Sequence, residues 1–178
     1  MAQDELNLDR VVFIPCYWPP HKDKTGILKA QHRFDMVRLA ISQNPKFEVS
    51  DVEIKRKGKS YTVDTLLYFQ KILPPQAELF FIIGGDMAGG LKSWQRIQEI
   101  KKNVTFIVLN RPGSHPKELP GFKFYSLETP IIDISSSFLR HRISKGKTIR
   151  YFVPDTVLQY INKHSLFKNH EKRGTYEK

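Results

Sequence analysis

Residues 79–86 read LFFIIGGD, and their pattern indicates the kind of sheet that the chain forms. Leu79 to Ile83 are all apolar, without the polar alternation of a half-exposed strand. Such a run is typical of a strand that helices cover on both faces, as in parallel sheets. Gly84 and Gly85 follow the strand directly and allow a ligand to approach the backbone closely.

Outward from this stretch, short apolar runs alternate with helical patterns. The runs are Val11–Ile14, Phe47–Ile54, Leu79–Ile83, Thr105–Leu109, a strand near Phe122–Tyr125 and the pair Ile131–Ile132. Helices are predicted along the stripe Ala30, Phe34, Val37 and Ile41, over Thr62–Leu73 and Trp94–Ile100, from Ser135–Ser137 onward, and over Pro154–His164. This alternation predicts an α/β fold with an open, mostly parallel sheet flanked by helices.

Composition limits the class of protein. The chain has 178 residues, a formal net charge of +11 and one cysteine. The length predicts one domain over residues 1–167, followed by a basic, flexible tail at 168–178. One thiol closes no intramolecular disulfide, and no segment reads as a signal peptide or a membrane span. We therefore expect a cytoplasmic protein without a membrane partner.

The positive charge admits two kinds of partner, nucleic acid or small phosphorylated ligands. In an open parallel sheet, ligands bind outside the carboxyl ends of the strands. The residues just past the predicted strands are His21 and Lys22, Gly84–Asp86, Asn110 and Arg111, and Ser135–Ser137. Glycines, cations and a serine-opened helix at successive strand ends favour a nucleotide or phosphate site.

Seven ordered segments resemble one family. They are VVFIP...PPHK, QHRFDMVRLAI, FEVSDVEIKRKGKSYTVDTL, LFFIIGGD...W, VTFIVLNRPG, DISSSFLR and IRYFVPDTVLQYI, from about Asp9 to Phe167. Together they resemble the bacterial nicotinate-nucleotide adenylyltransferases. The resemblance implies a Rossmann-like nucleotidyltransferase fold, with ATP and nicotinate mononucleotide as substrates and Mg²⁺ accompanying ATP. It also implies in-line attack of the mononucleotide phosphate on the α-phosphorus, so that catalysis consists of alignment and electrostatic stabilisation.

One family feature is absent from the sequence. The stretch GGxFDPxHxGH, whose paired histidines contact the ATP phosphates, does not occur. The match begins in the helix that should follow it, so Met1–Leu8 are expected to be the last turns of a helix capped by Asn7. The first strand of the sheet is therefore expected to be missing, and the chain as given is expected to fall short of full activity.

The resemblance carries site residues over onto matching positions. The catalytic cations are Lys22, Arg111 and Arg140. In the ATP site that the resemblance implies, Asp86 contacts a ribose hydroxyl. The residues implied for the phosphates are Ser136 and Ser137 at a helix start, Arg140 and Lys22. The nicotinate nucleotide site takes Thr62, Tyr61, Trp94, Arg33 and His21. Backbone N–H groups at the Thr62 helix start are expected to favour the ring carboxylate over an amide.

Structural interpretations stand beside these roles. His21 is equally suited to fix its loop by a hydrogen bond, and Trp94 to pack on the core. Serine at a helix start is most often a cap. Arg33 could be only a solvated helix residue, and Cys16 is expected to be a small buried hydrophobe.

Two other functions stay open. A phosphopantetheine-type nucleotidyltransferase shares the chemistry, but SYTVDT with Trp94 argues against it. An inactive nucleotide- or nucleic-acid-binding form is favoured by the charge and the missing histidines. However, the basic run 55–59 is more simply a solvated loop, so no nucleic-acid partner is expected. The histidines lack metal-ligand spacing, so no protein-held metal is expected. The oligomeric state is left open, a homo-oligomer included.

Overall fold

The structure, a computed structural model, describes residues 1–19, 27–111, 120–130 and 132–168. Its helices are α1 (Ala2–Glu5), α2 (Ala30–Ile41), α3 (Val52–Arg56), α4 (Thr62–Ile72), α5 (Gly85–Ala88), α6 (Ile97–Asn103), α7 (Ser136–Ser144) and α8 (Asp155–Lys163). Its strands are β1 (Val11–Phe13), β2 (Phe47–Val49), β3 (Phe80–Gly84), β4 (Thr105–Asn110) and β5 (Phe124–Glu128). A 3₁₀ turn spans Leu91–Ser93.

Every strand pair among these described elements is parallel. β1 pairs with β2 from Val11 opposite Phe47. β4 lies between β3 and β5, with Phe106 opposite both Phe81 and Phe124. The predicted parallel α/β class with flanking helices is confirmed, and the paired strands form a two-stranded and a three-stranded sheet.

The chain divides into two compact units, each built from two segments. The first unit is Met1–Leu8 with Ser60–Ile132, and the second is Asp9–Lys59 with Asp133–Lys178. The sheet β3-β4-β5 belongs to the first unit and β1-β2 to the second. The single domain over 1–167 stays a prediction, and the tail residues 169–178 lie outside the described residues.

Strand β4 lies in the core of the first unit. Phe106, Ile107 and Val108 are fully buried, as the unbroken apolar run predicts for a strand covered on both faces. The Phe106 ring meets those of Phe81 and Phe122 edge to face, at centroid distances of 6.1 and 5.6 Å. Helices α4 and α6 pack together in this unit. The strands β3 and β4 therefore run through a closely packed apolar core.

Helices α2 and α8 pack together in the second unit. Val157 and Ile161 form a buried stripe on α8 because residues four apart share a helix face. Beyond α8, Ser165 adopts a left-handed conformation (φ 51) and the Leu166 N–H bonds to the Ile161 carbonyl at 3.0 Å. This helix-ending turn brings Leu166 back into the core, where it is 1% exposed.

A polar cluster joins α2 to α8. His32 Nδ1 lies 2.9 Å from the Tyr160 hydroxyl, which donates to Asp35 Oδ2 at 3.0 Å. The His164 ring lies 5.1 Å from the His32 ring. Burial and the charge of His164 lower the pKa of His32, although Asp35 opposes them and Lys29 adds to them. Burial and the hydrogen bond to Asp35 raise the pKa of Tyr160 to about 12.

We expect acid to destabilise the fold through His32. In the unfolded chain His32 takes up a proton around its ordinary pKa of 6.5, whereas the folded chain takes it up only at lower pH. The folded state therefore binds fewer protons in this window, and the free energy of unfolding falls as the pH drops through it. Replacing His32 with Asn keeps an N–H donor for Tyr160 and removes the titrating ring.

Urea unfolding at about pH 7.5 and about pH 5 measures this effect, because these values bracket the ordinary histidine pKa. The H32N variant is expected to lose less stability between the two conditions than the wild type. The exposed His141, replaced by Asn, is the matched control and should behave as the wild type. Equal acid losses in the wild type and H32N would contradict the assignment to His32.

Four predicted elements need correction. The predicted strand Phe47–Ile54 ends at Val49, because Val52–Arg56 form the helix α3. In this helix, Arg56 Nη2 lies 3.9 Å from Glu53 Oε1, one turn earlier. Apolar and charged residues alternate at 52–55, and such alternation is typical of a strand. The strand near Phe122–Tyr125 starts and ends later, at Phe124–Glu128. Ile132 lies outside any strand, and Ile131 is not among the described residues.

The fourth correction concerns the helix predicted over Trp94–Ile100. Trp94 follows the 3₁₀ turn and is extended, and α6 begins only at Ile97. Arg96 separates the two with a left-handed backbone (φ 53). At the N-terminus, α1 ends at Glu5 with Leu6 as its C-cap residue, one position before the predicted Asn7. Asn7 is left-handed (φ 47) and its N–H bonds to the Asp4 carbonyl at 3.3 Å.

Candidate functional site

The carboxyl end of β3 carries the turn Gly84–Gly85–Asp86. A Cβ on Gly84 would lie 2.5 Å from Asp86 Oδ1, and one on Gly85 would lie 2.5 Å from Asn110 Oδ1. Both distances are too short for non-bonded atoms, so each glycine makes room for a particular neighbouring side chain. The Asp86 carboxylate is exposed and lies back over the Gly84 backbone.

Asn110 is a residue of this region to which sequence reasoning gave no role. It ends β4 and is 3% exposed, with Nδ2 donating to Ser126 Oγ at 2.8 Å. The signal that could have found it is an amide directly after the buried run Thr105–Leu109, where a polar side chain needs an internal partner. Arg111 follows it at the strand exit and is exposed.

The start of α4 holds Tyr61 and Thr62. Tyr61 is the N-cap residue with an extended backbone, Thr62 is the first helical residue, and no side chain caps the helix. The first N–H groups of any helix lack intrahelical partners and attract anions. In the same turn, Asp64 Oδ1 lies 3.6 Å from Arg96 Nη1. The predicted helix start at Thr62 is confirmed, and the carboxylate contact there stays a prediction.

Trp94 and Tyr61 pack against the same buried cluster of the first unit. The Trp94 ring meets Phe81 edge to face, at 5.7 Å and 89°. It is half-buried, so part of the indole remains accessible. Packing against the core therefore explains the position of the Trp94 ring. Stacking of this ring on a substrate stays a prediction.

The start of α7, in the second unit, brings serine and arginine together. Ser135 Oγ accepts the Phe138 N–H at 3.1 Å and is the cap. Arg140 Nη2 donates to Ser137 Oγ at 2.9 Å, and both side chains are exposed. Because Ser135 supplies the cap, the capping interpretation does not account for Ser136 and Ser137. The predicted helix start at these serines is confirmed.

The Arg33 guanidinium of α2 forms hydrogen bonds to backbone carbonyls. Its Nε donates to the Leu28 carbonyl at 3.0 Å and its Nη2 to the Tyr17 carbonyl at 2.8 Å. Its Nη1 lies 3.5 Å from Cys16 Sγ. Arg33 is therefore more than a solvated helix residue, and its contact with a substrate stays a prediction. Cys16 is half-buried instead of buried, which corrects the expectation for this thiol.

Each unit thus holds one group of candidate residues. The first unit has Tyr61, Thr62, Asp86, Trp94 and Arg111, and the second has Arg33, Ser136, Ser137 and Arg140. Lys22 and His21 lie outside the described residues. Within residues 1–19, 27–111, 120–130 and 132–168, no group of three His, Cys, Asp or Glu side chains is placed to hold a metal ion. No helix in these ranges has the length and apolarity to cross a membrane.

Comparison with known proteins gives consistent matches. The profile of the cytidylyltransferase-like family matches residues 1–142. A probable nicotinate-nucleotide adenylyltransferase of Shouchella clausii is 44% identical over 94% of this chain and 87% of its own length. One from Oceanobacillus iheyensis is 41% identical over 90% of this chain and 82% of its own length.

A solved structure resembles the fold. The Plasmodium falciparum nicotinic acid mononucleotide adenylyltransferase complexed with NaAD superposes with a TM-score of 0.70, covering 90% of this chain and 83% of that chain. Its sequence identity is 22%, so the likeness supports the fold alone.

Proposed function

The chain belongs to the nicotinate-nucleotide adenylyltransferases of the cytidylyltransferase-like family, and from this we propose that it transfers the adenylyl group of ATP to nicotinate mononucleotide. The products are deamido-NAD and pyrophosphate, so the reaction belongs to NAD biosynthesis. The observation that carries the proposal is the likeness to these relatives along most of the chain. The single cysteine and the use of ATP fit a reaction in the cytoplasm.

The reaction is a single displacement at the α-phosphorus of ATP. A 5′-phosphate oxygen of nicotinate mononucleotide forms the new bond, and the bond from the α-phosphorus to the α,β-bridging oxygen breaks. Pyrophosphate takes the electron pair of that bond, and no group of the protein becomes covalently attached. The protein must hold the reactants in line and stabilise the charge that builds on the phosphates.

Arg140 and Ser137 are the residues we assign to the phosphates of ATP. Arg140 presents a guanidinium at the start of α7, and its fork geometry suits phosphate oxygens. The Ser137 hydroxyl orients it through the 2.9 Å hydrogen bond. Ser136 adds a second hydroxyl to the same turn. Lys22 and Arg111 are proposed to neutralise further phosphate charge, since both follow predicted strands.

Asp86 is assigned to a ribose hydroxyl of ATP. Its exposed carboxylate at the end of β3 accepts hydrogen bonds, and the adjacent Gly84 has no side chain to block the approach of a sugar. Mg²⁺ usually reaches nucleotide sites on substrate phosphates. We propose that it enters here as the complex with ATP and neutralises part of the phosphate charge.

The nicotinate ring is assigned to the start of α4. Its carboxylate would accept hydrogen bonds from first-turn N–H groups of the helix that begins at Thr62, which no side chain caps. Tyr61 and Trp94, packed on one core cluster, offer aromatic surface to the ring. Arg33 and His21 complete the proposed nucleotide contacts.

A panel of acceptors tests the function. With ATP and Mg²⁺, the chain is incubated with nicotinate mononucleotide, nicotinamide mononucleotide or phosphopantetheine, and pyrophosphate and the adenylylated product are quantified together. We expect equal amounts of pyrophosphate and deamido-NAD with the nicotinate acceptor. Product with phosphopantetheine and none with nicotinate mononucleotide would reverse the assignment. Salt-sensitive DNA binding without any thermal shift by nucleotides would favour a nucleic-acid-binding protein.

A further inference from the structure

We propose that Asn110 is a positioning residue for Asp86, an inference that rests on the proposed ribose contact of Asp86. Asn110 ends β4, beside the point where β3 passes into α5, and Leu109 pairs with Gly84 in the sheet register. Its side chain is 3% exposed, although asparagine is usually found at the surface. A buried amide is unfavourable unless it is hydrogen-bonded, so its place here requires a partner.

The Asn110 side chain lies between β5 and the start of α5. Its Nδ2 donates to Ser126 Oγ of β5 at 2.8 Å. Its Oδ1 faces Gly85 so closely that a Cβ there would lie only 2.5 Å away. The amide therefore reaches from the third strand of the sheet to the first residue of α5, across the carboxyl ends of the strands.

The backbone of Asn110 is also held. Its carbonyl accepts the Thr129 N–H at 2.8 Å and the Thr129 hydroxyl at 3.0 Å. With its backbone and side chain both held by hydrogen bonds, the Asn110 amide packs against Gly85 and limits its movement. Gly85 is the residue directly before Asp86. A hydrogen-bonded buried side chain of this kind restricts its neighbours more than a surface side chain does.

The position of the Asp86 carboxylate depends on this contact between Asn110 and Gly85. Gly84 is held in the β3 ladder and Gly85 is packed against Asn110, so the backbone that leads to Asp86 has little freedom. The carboxylate lies over Gly84, where a Cβ would be 2.5 Å from its Oδ1. Shortening Asn110 to alanine opens space beside Gly85, and the carboxylate then loses its fixed direction. Asn110 acts on the nucleotide only through Asp86.

The test compares ATP with 2′,3′-dideoxy-ATP, which lacks both ribose hydroxyls. The readout is the ratio of kcat/KM for the two nucleotides, with nicotinate mononucleotide as acceptor. The wild type is expected to prefer ATP about tenfold or more, the usual worth of a hydrogen bond to a charged group. Asp86→Ala should bring the ratio near one. Asn110→Ala should lower it at least about threefold, and should add nothing to Asp86→Ala in the double variant.

Two further variants keep the test decisive. Asn103→Ala is the matched control, because it also removes an amide that donates one hydrogen bond of 2.8 Å within the first unit. It should leave the ratio unchanged. Ser126→Ala removes the partner of Asn110 from an exposed position and should lower the ratio part of the way, even if Asn110→Ala fails to fold.

The outcomes separate the claims. If Asp86→Ala loses the preference for ATP while Asn110→Ala and Ser126→Ala keep it, the role of Asn110 is overturned and the ribose contact stands. An equal fall of kcat/KM for both nucleotides in Asn110→Ala shows a structural role only and also overturns the inference. If the wild type shows no preference, the ribose contact and the inference both fail. Adenylyl transfer itself is measured with ATP in the same assay and is judged separately.

Discussion

Replacing Arg140 with alanine is expected to lower kcat/KM for adenylyl transfer about 10²–10³-fold, the usual effect of removing one preorganised donor from a developing charge. Arg140 is exposed and its hydrogen bond within the protein goes to Ser137, so it contributes little to the core. The melting temperature should therefore stay close to that of the wild type. Steady-state kinetics with ATP varied, together with thermal unfolding, measures both quantities.

Two variants accompany Arg140→Ala. Arg140→Lys keeps the charge but loses the planar fork, so its activity should fall between those of the wild type and the alanine variant. Arg150→Ala removes an exposed arginine of the same unit, whose guanidinium lies 5.4 Å from the Tyr151 ring centroid, and should leave kcat/KM unchanged. Activity of Arg140→Ala within about twofold of the wild type would remove Arg140 from the phosphate site.

Replacing Thr62 with proline is expected to reduce the preference for nicotinate over nicotinamide mononucleotide. In the wild type this preference should be about tenfold to a hundredfold, since hydrogen bonds to a charged group contribute roughly 1.5–3 kcal/mol. Proline deletes one first-turn N–H and is well tolerated at the first position of a helix. The preceding Tyr61 has φ −88° and ψ 131°, which a following proline permits.

The control for this substitution is Thr62→Val, which keeps the N–H and the side-chain shape and removes only the hydroxyl. The measurement is kcat/KM for each mononucleotide at saturating ATP. Thr62→Val should retain the preference and Thr62→Pro should lose most of it. If the wild type used both mononucleotides equally well, the helix start would not be the carboxylate site.

Local sequence patterns predicted the elements that depend on near neighbours. The unbroken run Thr105–Leu109 predicted the buried central strand, because only a strand covered on both faces tolerates such a run. Ser135–Ser137 predicted the start of α7, and Asn7 the end of α1. At the start of α7 and the end of α1, the hydrogen bonds join residues three apart in the chain.

The misses have a different cause, since they depend on contacts between distant segments. The contacts of Asn110 are with Gly85 at the start of α5 and with Ser126 of β5, both of which are distant from it in the sequence. For Arg33, the sequence left open a substrate contact or a solvated helix position, and it did not reveal the hydrogen bonds to the Tyr17 and Leu28 carbonyls. The charged alternation that begins at Val52 is compatible with both strand and helix, and Val52–Arg56 form the helix α3.

Radiolabelled ATP shows which of its phosphorus atoms the chain transfers to nicotinate mononucleotide. ATP labelled at the α-phosphorus or at the γ-phosphorus is incubated with the chain, Mg²⁺ and nicotinate mononucleotide, and the products are separated. We expect the α-label to appear in deamido-NAD and the γ-label in pyrophosphate, and neither label to leave ATP when the mononucleotide is omitted. A γ-label found on the mononucleotide, or an α-label that stays in ATP while both substrates are present, would contradict adenylyl transfer by this chain.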